Sequence, residues 1–217
     1  MLKMNKTRRM LGKAAAAVCL SVLALSAFSY TANAQQKSGG SKSGGSAPVE
    51  LKRILVFPTD TRGGVSDQVA DDIAAVIKSR LIASHLYEPL SFLSSIPTVK
   101  VGLTEQTLVQ TDVRKPFDSD TKLKKLSSVT GYQYVIVSTV DDYQYDSNAN
   151  ELNIVMSVRL IDYSGAKAVV RTAAQSATSP KNTANVPELK LATDLVRSLT
   201  DKLMTSILTP KPPTPTK

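Results

Sequence analysis

"GYQYVIVSTVDDYQYDSNANELNIVMSVRLIDYSG", Gly131 to Gly165, decides the fold. Two runs rich in Val, Ile and Tyr flank a cluster of turn-forming residues, Asp146 to Asn150, so the stretch reads as two long strands joined by a polar connector. Strict alternation puts Tyr134, Ile136, Ser138, Val140 and Asp142 on one face of the first strand. Val135, Val137, Thr139, Asp141 and Tyr143 fall on the other. That strand starts apolar on both faces and turns polar toward its end. In the second, Leu152, Ile154, Met156, Val158 and Leu160 alternate with Asn153, Val155, Ser157, Arg159 and Ile161, the pattern of a half-buried strand. "GAKAVVRTAAQSATS" (Gly165–Ser179) adds a third strand through the turn pair Ser164–Gly165.

Upstream, "VELKRILVFPTD" (Val49–Asp60) is a buried strand, Ile54 to Phe57, ended by Pro58, and Asp60 to Gly64 form a loop. "SDQVADDIAAVIKSRLIAS" (Ser66–Ser84) places Val69, Ile73, Val76, Ile77 and Arg80 or Leu81 at helical spacing. Asp67, Asp71 and Asp72 crowd its first turns and Lys78 and Arg80 its last, which suits the helix dipole. "HLYEPLSF" (His85–Phe92) is a short strand placed at an edge by Pro89, which lacks a ladder donor. Residues 93–117 carry the weakest pattern, with one short helix expected near Thr104–Gln110. "DSDTKLKKLSSVTG" (Asp118–Gly131) is a helix capped near Asp118 or Ser119, with Leu123, Leu126 and Val129 as its apolar side. "PELKLATDLVRSLTDKLMTSIL" (Pro187–Leu208) turns Ala192, Leu195, Val196, Leu199, Leu203 and Ile207 inward. The order is β–α–β–(α)–α–β–β–β–α. It predicts an α+β fold: a mixed sheet of about five strands with a C-terminal three-strand meander and helices packed on it. Helices confined to one face would leave the other available.

The chain opens with "MLKMNKTRRMLGK", five basic residues and no acid, followed by the apolar "AAAAVCLSVLALSAF" and small residues at Ala32 and Ala34. That order is a secretory signal peptide, residues 1–34, cleaved after Ala34. The apolar run is short of the roughly 20 residues that span a bilayer. Cys19 is the sole cysteine and lies inside that run behind Val18, so neither lipidation nor a disulfide is expected in the mature chain. Residues 35–48 are a Gly/Ser-rich flexible linker and 210–217 a Pro-rich disordered tail. Between them, 49–209 has the size of a single α/β domain. Of the 27 basic residues, 18 fall in that segment, matching all 18 acids. The folded part is neutral, which argues against nucleic acid as a partner.

"RILVFPTD" before a long helix, then "LSSVTGYQYVIVSTVDDY" and "NIVMSVRLIDYSGAKAV", resemble a group of bacterial envelope domains. The group comprises the CsgG-like family of curli secretion channels, the amino-terminal domain of the Tol-system propeller protein, and lipoprotein activators of penicillin-binding proteins. Gly131–Ser138 and Ile161–Gly165 stand where those domains carry their characteristic strands, and the likeness covers most of 50–208. Gln133 departs from the acidic residue usual after the glycine. No lipidated cysteine and no pore-forming insertion is seen, so a soluble accessory domain fits better than a secretion pore. The resemblance implies partner binding in the periplasm without a cofactor.

The residues themselves point away from catalysis. His85 is the sole histidine and sits at a helix end; no Gly-x-Ser-x-Gly, His-Glu-x-x-His or Cys–His set exists. "DTRGG" (60–64) between strand and helix lacks a phosphate loop's Lys-Ser/Thr ending, and Asp67, Asp71 and Asp72 would repel an anion. Asp141, Asp142, Asp146, Asn148, Asn150 and Glu151 match no calcium-loop spacing. Tyr132, Tyr134, Tyr143, Tyr145 and Tyr163 cluster around the hairpin and are the candidate partner-contact residues. The expectation is an exported, non-enzymatic adaptor that binds an envelope protein. An oligomeric component of a curli-type secretion or assembly system is the first alternative. A carboxylate-dependent hydrolase of envelope polymer is the second, disfavoured because Asp141 and Asp142 would point to opposite faces.

Overall fold

The computed structural model describes residues 50–62, 64–180 and 186–209. The expected signal peptide, the Gly/Ser linker and the Pro-rich tail lie outside the described residues. The strands are β1 (Lys52–Val56), β2 (Asp60–Thr61), β3 (Tyr87–Ser91), β4 (Tyr134–Asp146), β5 (Glu151–Asp162) and β6 (Val169–Thr178). The helices are α1 (Asp67–Ala83), α2 (Pro97–Thr104), α3 (Asp120–Thr130) and α4 (Glu188–Leu208). The fold is α+β, with one mixed sheet in the order β3-β1-β4-β5-β6. β1 runs parallel to both β3 and β4, and β4, β5 and β6 form the antiparallel meander. The sixth strand is β2: Asp60 and Thr61, expected in a loop, pair with Thr139 and Val140 and prolong the line of β1 beside β4.

Helices cover both faces of the sheet, though unequally. On one face α1 and α4 pack over Ile54, Val56, Ile136, Val140 and the inward row of β5, Leu152 through Leu160. Each such aliphatic side chain contributes about 1.5–3 kcal/mol by leaving water. Arg80 and Asp201 join α1 to α4 at 2.6 Å on the outside. The Ser66 hydroxyl caps the start of α1 by accepting from the Val69 amide. On the second face α2, α3 and the segment between them cover Leu55, Phe57, Val135, Val137 and Ile161. This second layer ends there. It leaves the rest of β4 and β5 and all of β6 uncovered on that side, so the available face is partial.

The helix expected near Thr104–Gln110 lies earlier, at Pro97–Thr104. Pro97 occupies the first turn, where a missing N–H is harmless. Past Thr104 the chain turns back and buries Leu108, Val113 and Phe117 against the second face. The return is close: a Cβ on Gly102 would stand 3.1 Å from both Leu108 and Val129. α3 starts after Ser119 and stops at Gly131, whose φ of 74° is the left-handed conformation that ends helices.

One irregularity changes the reading of β4. The register slips between Val140 and Asp142, so that Val140 faces Met156 and Asp142 faces Val155. Asp141 is therefore an extra residue, a β-bulge. Beyond it, alternation is inverted relative to the strict pattern. Tyr143 and Tyr145 sit opposite Ile154 and Leu152 on the core face, and Asp142 moves to the outer face.

Candidate functional site

Outside the helical cover, three strands present a flat polar surface. Its rows follow the ladder: Thr139–Ser157–Ala174, Asp142–Val155–Ser176 and Gln144–Asn153–Thr178, with Arg159–Thr172 at the border where the α2/α3 layer ends over Val137. Small hydroxyl and amide side chains dominate, and Val155 stands at the centre. The Ser157 hydroxyl donates to Asp141 at 2.8 Å, and the Gln144 side-chain amide donates to Asp142 at 2.9 Å. Asp142 also accepts from the Tyr143 amide at 3.0 Å. The bulge thus puts Asp141 and Asp142 on the same face, contrary to strict alternation, but each carboxylate is engaged by a neighbour within the ladder. Toward α3 the surface is bounded by Arg159, whose guanidinium reaches Asp120 Oδ1 and the Asp118 carbonyl, both at 3.0 Å.

The hairpin extends this surface past the helices. Asp146 Oδ1 accepts from the amides of Asn148 and Ala149, an Asx arrangement that shapes the connector, and Asn150 takes φ 48°. The Tyr145 hydroxyl donates to Asn150 Oδ1 at 2.6 Å. The Tyr143 hydroxyl donates to Glu188 at 2.7 Å and ties the hairpin root to α4. Burial, with the Glu188 carboxylate second, pushes the Tyr143 phenol above its usual range.

The five tyrosines do not form one patch. Tyr134, Tyr143 and Tyr145 pack against the α1/α4 face, while Tyr132 and Tyr163 belong to the α2/α3 side. Tyr132 is buried, and its hydroxyl accepts from Arg53 at 2.8 Å. Tyr134 meets Tyr87 edge-on, and the Tyr163 hydroxyl lies 3.4 Å from the Asp120 carbonyl. Burial raises the Tyr163 phenol as well.

Next to the open surface, at Thr139, lies a cavity of about 380 Å³ whose walls include Asp60, Arg62, Lys115 and Asp118. Asp60 is only 7% exposed. Its Oδ2 accepts from the Phe117 amide at 2.5 Å, and its Oδ1 has no partner among the described residues. Burial lifts its carboxyl above the ordinary carboxylate range, against the pull of the Phe117 amide and Lys115. Lys115 in turn donates to the Thr59 carbonyl at 2.6 Å. These contacts fasten the segment before α3 to the sheet. A second, apolar groove of about 780 Å³ runs between α2 and α3 over Pro97, Val101 and Val129, with Lys124, Lys125 and Glu105 at its rim.

Among the described residues no group of three or more His, Cys, Asp or Glu side chains could hold a metal ion. None of their helices is long and apolar enough to cross a membrane. His85 follows the end of α1 with φ 53°. Sequence reasoning missed the Asp60 cavity: it read Asp60 only as part of the strand end and the loop 60–64, and Phe117, whose amide it accepts from, lies 57 residues away. It missed the bulge too, although a signal was present: Val140, Tyr143 and Tyr145 break an even spacing of large residues at the pair Asp141–Asp142.

No protein-family model matches the chain, and no curated protein does. Solved structures similar to it include a PelC dodecamer from Paraburkholderia phytofirmans, 12% identical over 77% of this chain and 96% of that one, with a TM-score of 0.47. Lipoprotein GNA1162 from Neisseria meningitidis is 19% identical over 71% of this chain and 99% of its own, with a TM-score of 0.41. The LpoB C-terminal domain from Salmonella enterica is 14% identical over 59% and 85%, with a TM-score of 0.37.

Proposed function

We propose that the chain is an exported, non-enzymatic adaptor of the cell envelope that holds a protein partner on the uncovered outer face of β4, β5 and β6. The observation that carries this reading is the abrupt end of the α2/α3 layer. It leaves the hydroxyl and amide rows around Val155 with no helix over them, while α1 and α4 cover the opposite side of the same strands. The hairpin tip and the half-buried Tyr163 border the contact; Tyr132, Tyr134, Tyr143 and Tyr145 support it from within. The secretory signal supplies the compartment, periplasmic or otherwise outside the cytosol. Kinship with CsgG-like, Tol-propeller amino-terminal and penicillin-binding-protein-activator domains is part of the proposal and rests on the sequence motifs alone. No cofactor enters it.

The test is chemical cross-linking in intact cells followed by capture of the tagged chain, run in parallel on wild type and Val155→Arg. A stoichiometric envelope protein recovered with wild type and lost with the variant supports the reading. Recovery of the same proteins by both, or of none, contradicts it.

A further inference from the structure

β6 closes one side of the sheet, and among the described residues nothing pairs with its outer edge. An edge strand presents a row of unpaired N–H and C=O groups, and natural sheets blunt such rows with short strands, proline, bulges or charge. The opposite edge has these devices: β3 is five residues long and contains Pro89 beside Glu88. β6 has only one of them, the charge of Arg171, whose guanidinium is turned to the end of α4 and donates to the Ile207 carbonyl at 3.4 Å. Its ten residues, "VVRTAAQSAT", include no proline and one charge, and its register with β5 runs unbroken from Asn153–Thr178 to Asp162–Val169. All but Ala173 and Ala177 are exposed, Val169 and Val170 by 57% and 45%. Those two alanines pack against the α1/α4 core, so the strand is held firmly with its outer edge presented.

We infer that this edge is covered by the same edge of a second copy of the chain, the two β6 strands running antiparallel about a two-fold axis in one continuous sheet. The strand is self-complementary in the register centred on Ala173. That register sets Arg171 opposite Gln175 of the second copy, Thr172 opposite Ala174, Val170 opposite Ser176 and Val169 opposite Ala177. The sole charge meets Gln175 and never itself, and in the other pairs small side chains meet small or medium ones. Head-to-tail union of β6 with β3 is opposed by Pro89 and by the mismatch of ten residues with five. The assembly therefore closes at two copies instead of growing into a fibre. This inference goes beyond the adaptor reading and does not depend on it: the two-fold contact uses the strand edge, and the outer face stays available on both copies.

The register makes the test specific. Thr172→Lys/Ala174→Lys sets lysine against lysine on both sides of the axis, at exposed positions whose substitution leaves the core untouched. Thr172→Lys/Ala174→Glu sets lysine against glutamate at the same places. Sedimentation velocity of the full chain, from low to high micromolar concentration, is expected to show a dimer for wild type, a monomer for the double-lysine variant and a recovered dimer for the lysine–glutamate variant, all with the same circular dichroism. A wild-type chain that is monomeric throughout overturns the inference. So does a dimer indifferent to the double lysine, or a lysine–glutamate variant that associates no better than the double lysine.

Discussion

Deleting Asp141 and deleting Thr139 each remove one residue from β4, and the bulge makes the consequences unequal. Without Asp141, Asp142 still faces Val155 and Tyr143 still faces Ile154, now in a regular ladder. The interaction lost is the bond from Ser157 to Asp141, half-buried and worth about 0.5–1.5 kcal/mol. Deletion of Thr139 has to be absorbed by the same bulge. Val140 then takes the outer position of Thr139, and Asp141 enters the site of Val140, which is 0% exposed in the α1/α4 core. Evicting a buried valine costs about 1.5–3 kcal/mol, and seating a carboxylate among aliphatic side chains costs several more, so the sum is at least about 4 kcal/mol. That approaches the whole stability of an ordinary domain, about 5–15 kcal/mol. Urea unfolding followed by far-ultraviolet circular dichroism separates the two cases. The Asp141 deletion should lower the midpoint by under about 1 M with an unchanged slope, and the Thr139 deletion by about 2 M or more, if it folds at all. Equal losses, or a larger loss for Asp141, would refute the bulge and with it the assignment of Tyr143 and Asp142 to their faces.

Two further perturbations follow from the same geometry. The carboxyl of Asp60 is raised above its ordinary value of 3.8, so the folded chain holds that proton more tightly than the unfolded chain. Its favourable contribution is therefore complete below that pH and is lost as pH rises through the raised value. Asp60→Asn should consequently gain stability relative to wild type between pH 3 and pH 7, read as the difference in urea midpoints; a difference that stays constant or runs the other way contradicts the assignment. Gly131→Ala places a side chain at φ 74° in open space, so only backbone strain opposes it. The cost of about 1 kcal/mol should lower Tm by about 2–4 °C, and an unchanged Tm would show that the helix end relaxes.

The sequence was most legible where periodicity and covalent constraint coincide. Leu152 to Leu160 alternate without interruption and proved to be the fully buried row of β5, while Gly131 ended α3 as its conformational freedom requires. Pro89 marked the edge strand. Legibility failed where the deciding interaction is non-local. Leu108 and Val113 are buried because Gly102 permits a close return of the chain, which no local pattern between residues 93 and 117 announces. β2 exists only because Asp60 and Thr61 meet β4. The tyrosines illustrate a third limit. Composition identified them as amphipathic and clustered in sequence, but a one-residue slip at Asp141 and the two-sided root of β4 distribute them over opposite faces. The outer surface is instead built from Thr139, Ser157, Val155 and Ser176, residue types that attract little attention one at a time.

Site-specific photo-cross-linking in living cells bears most directly on the claim that the chain works by offering its uncovered sheet face to a protein. A photoreactive residue placed in turn at Val155, at Ser176 and, on the solvent side of α1, at Ser79 should give one discrete envelope adduct from the two sheet positions and none from the helix. Adducts from all three alike, or from the helix alone, would contradict it.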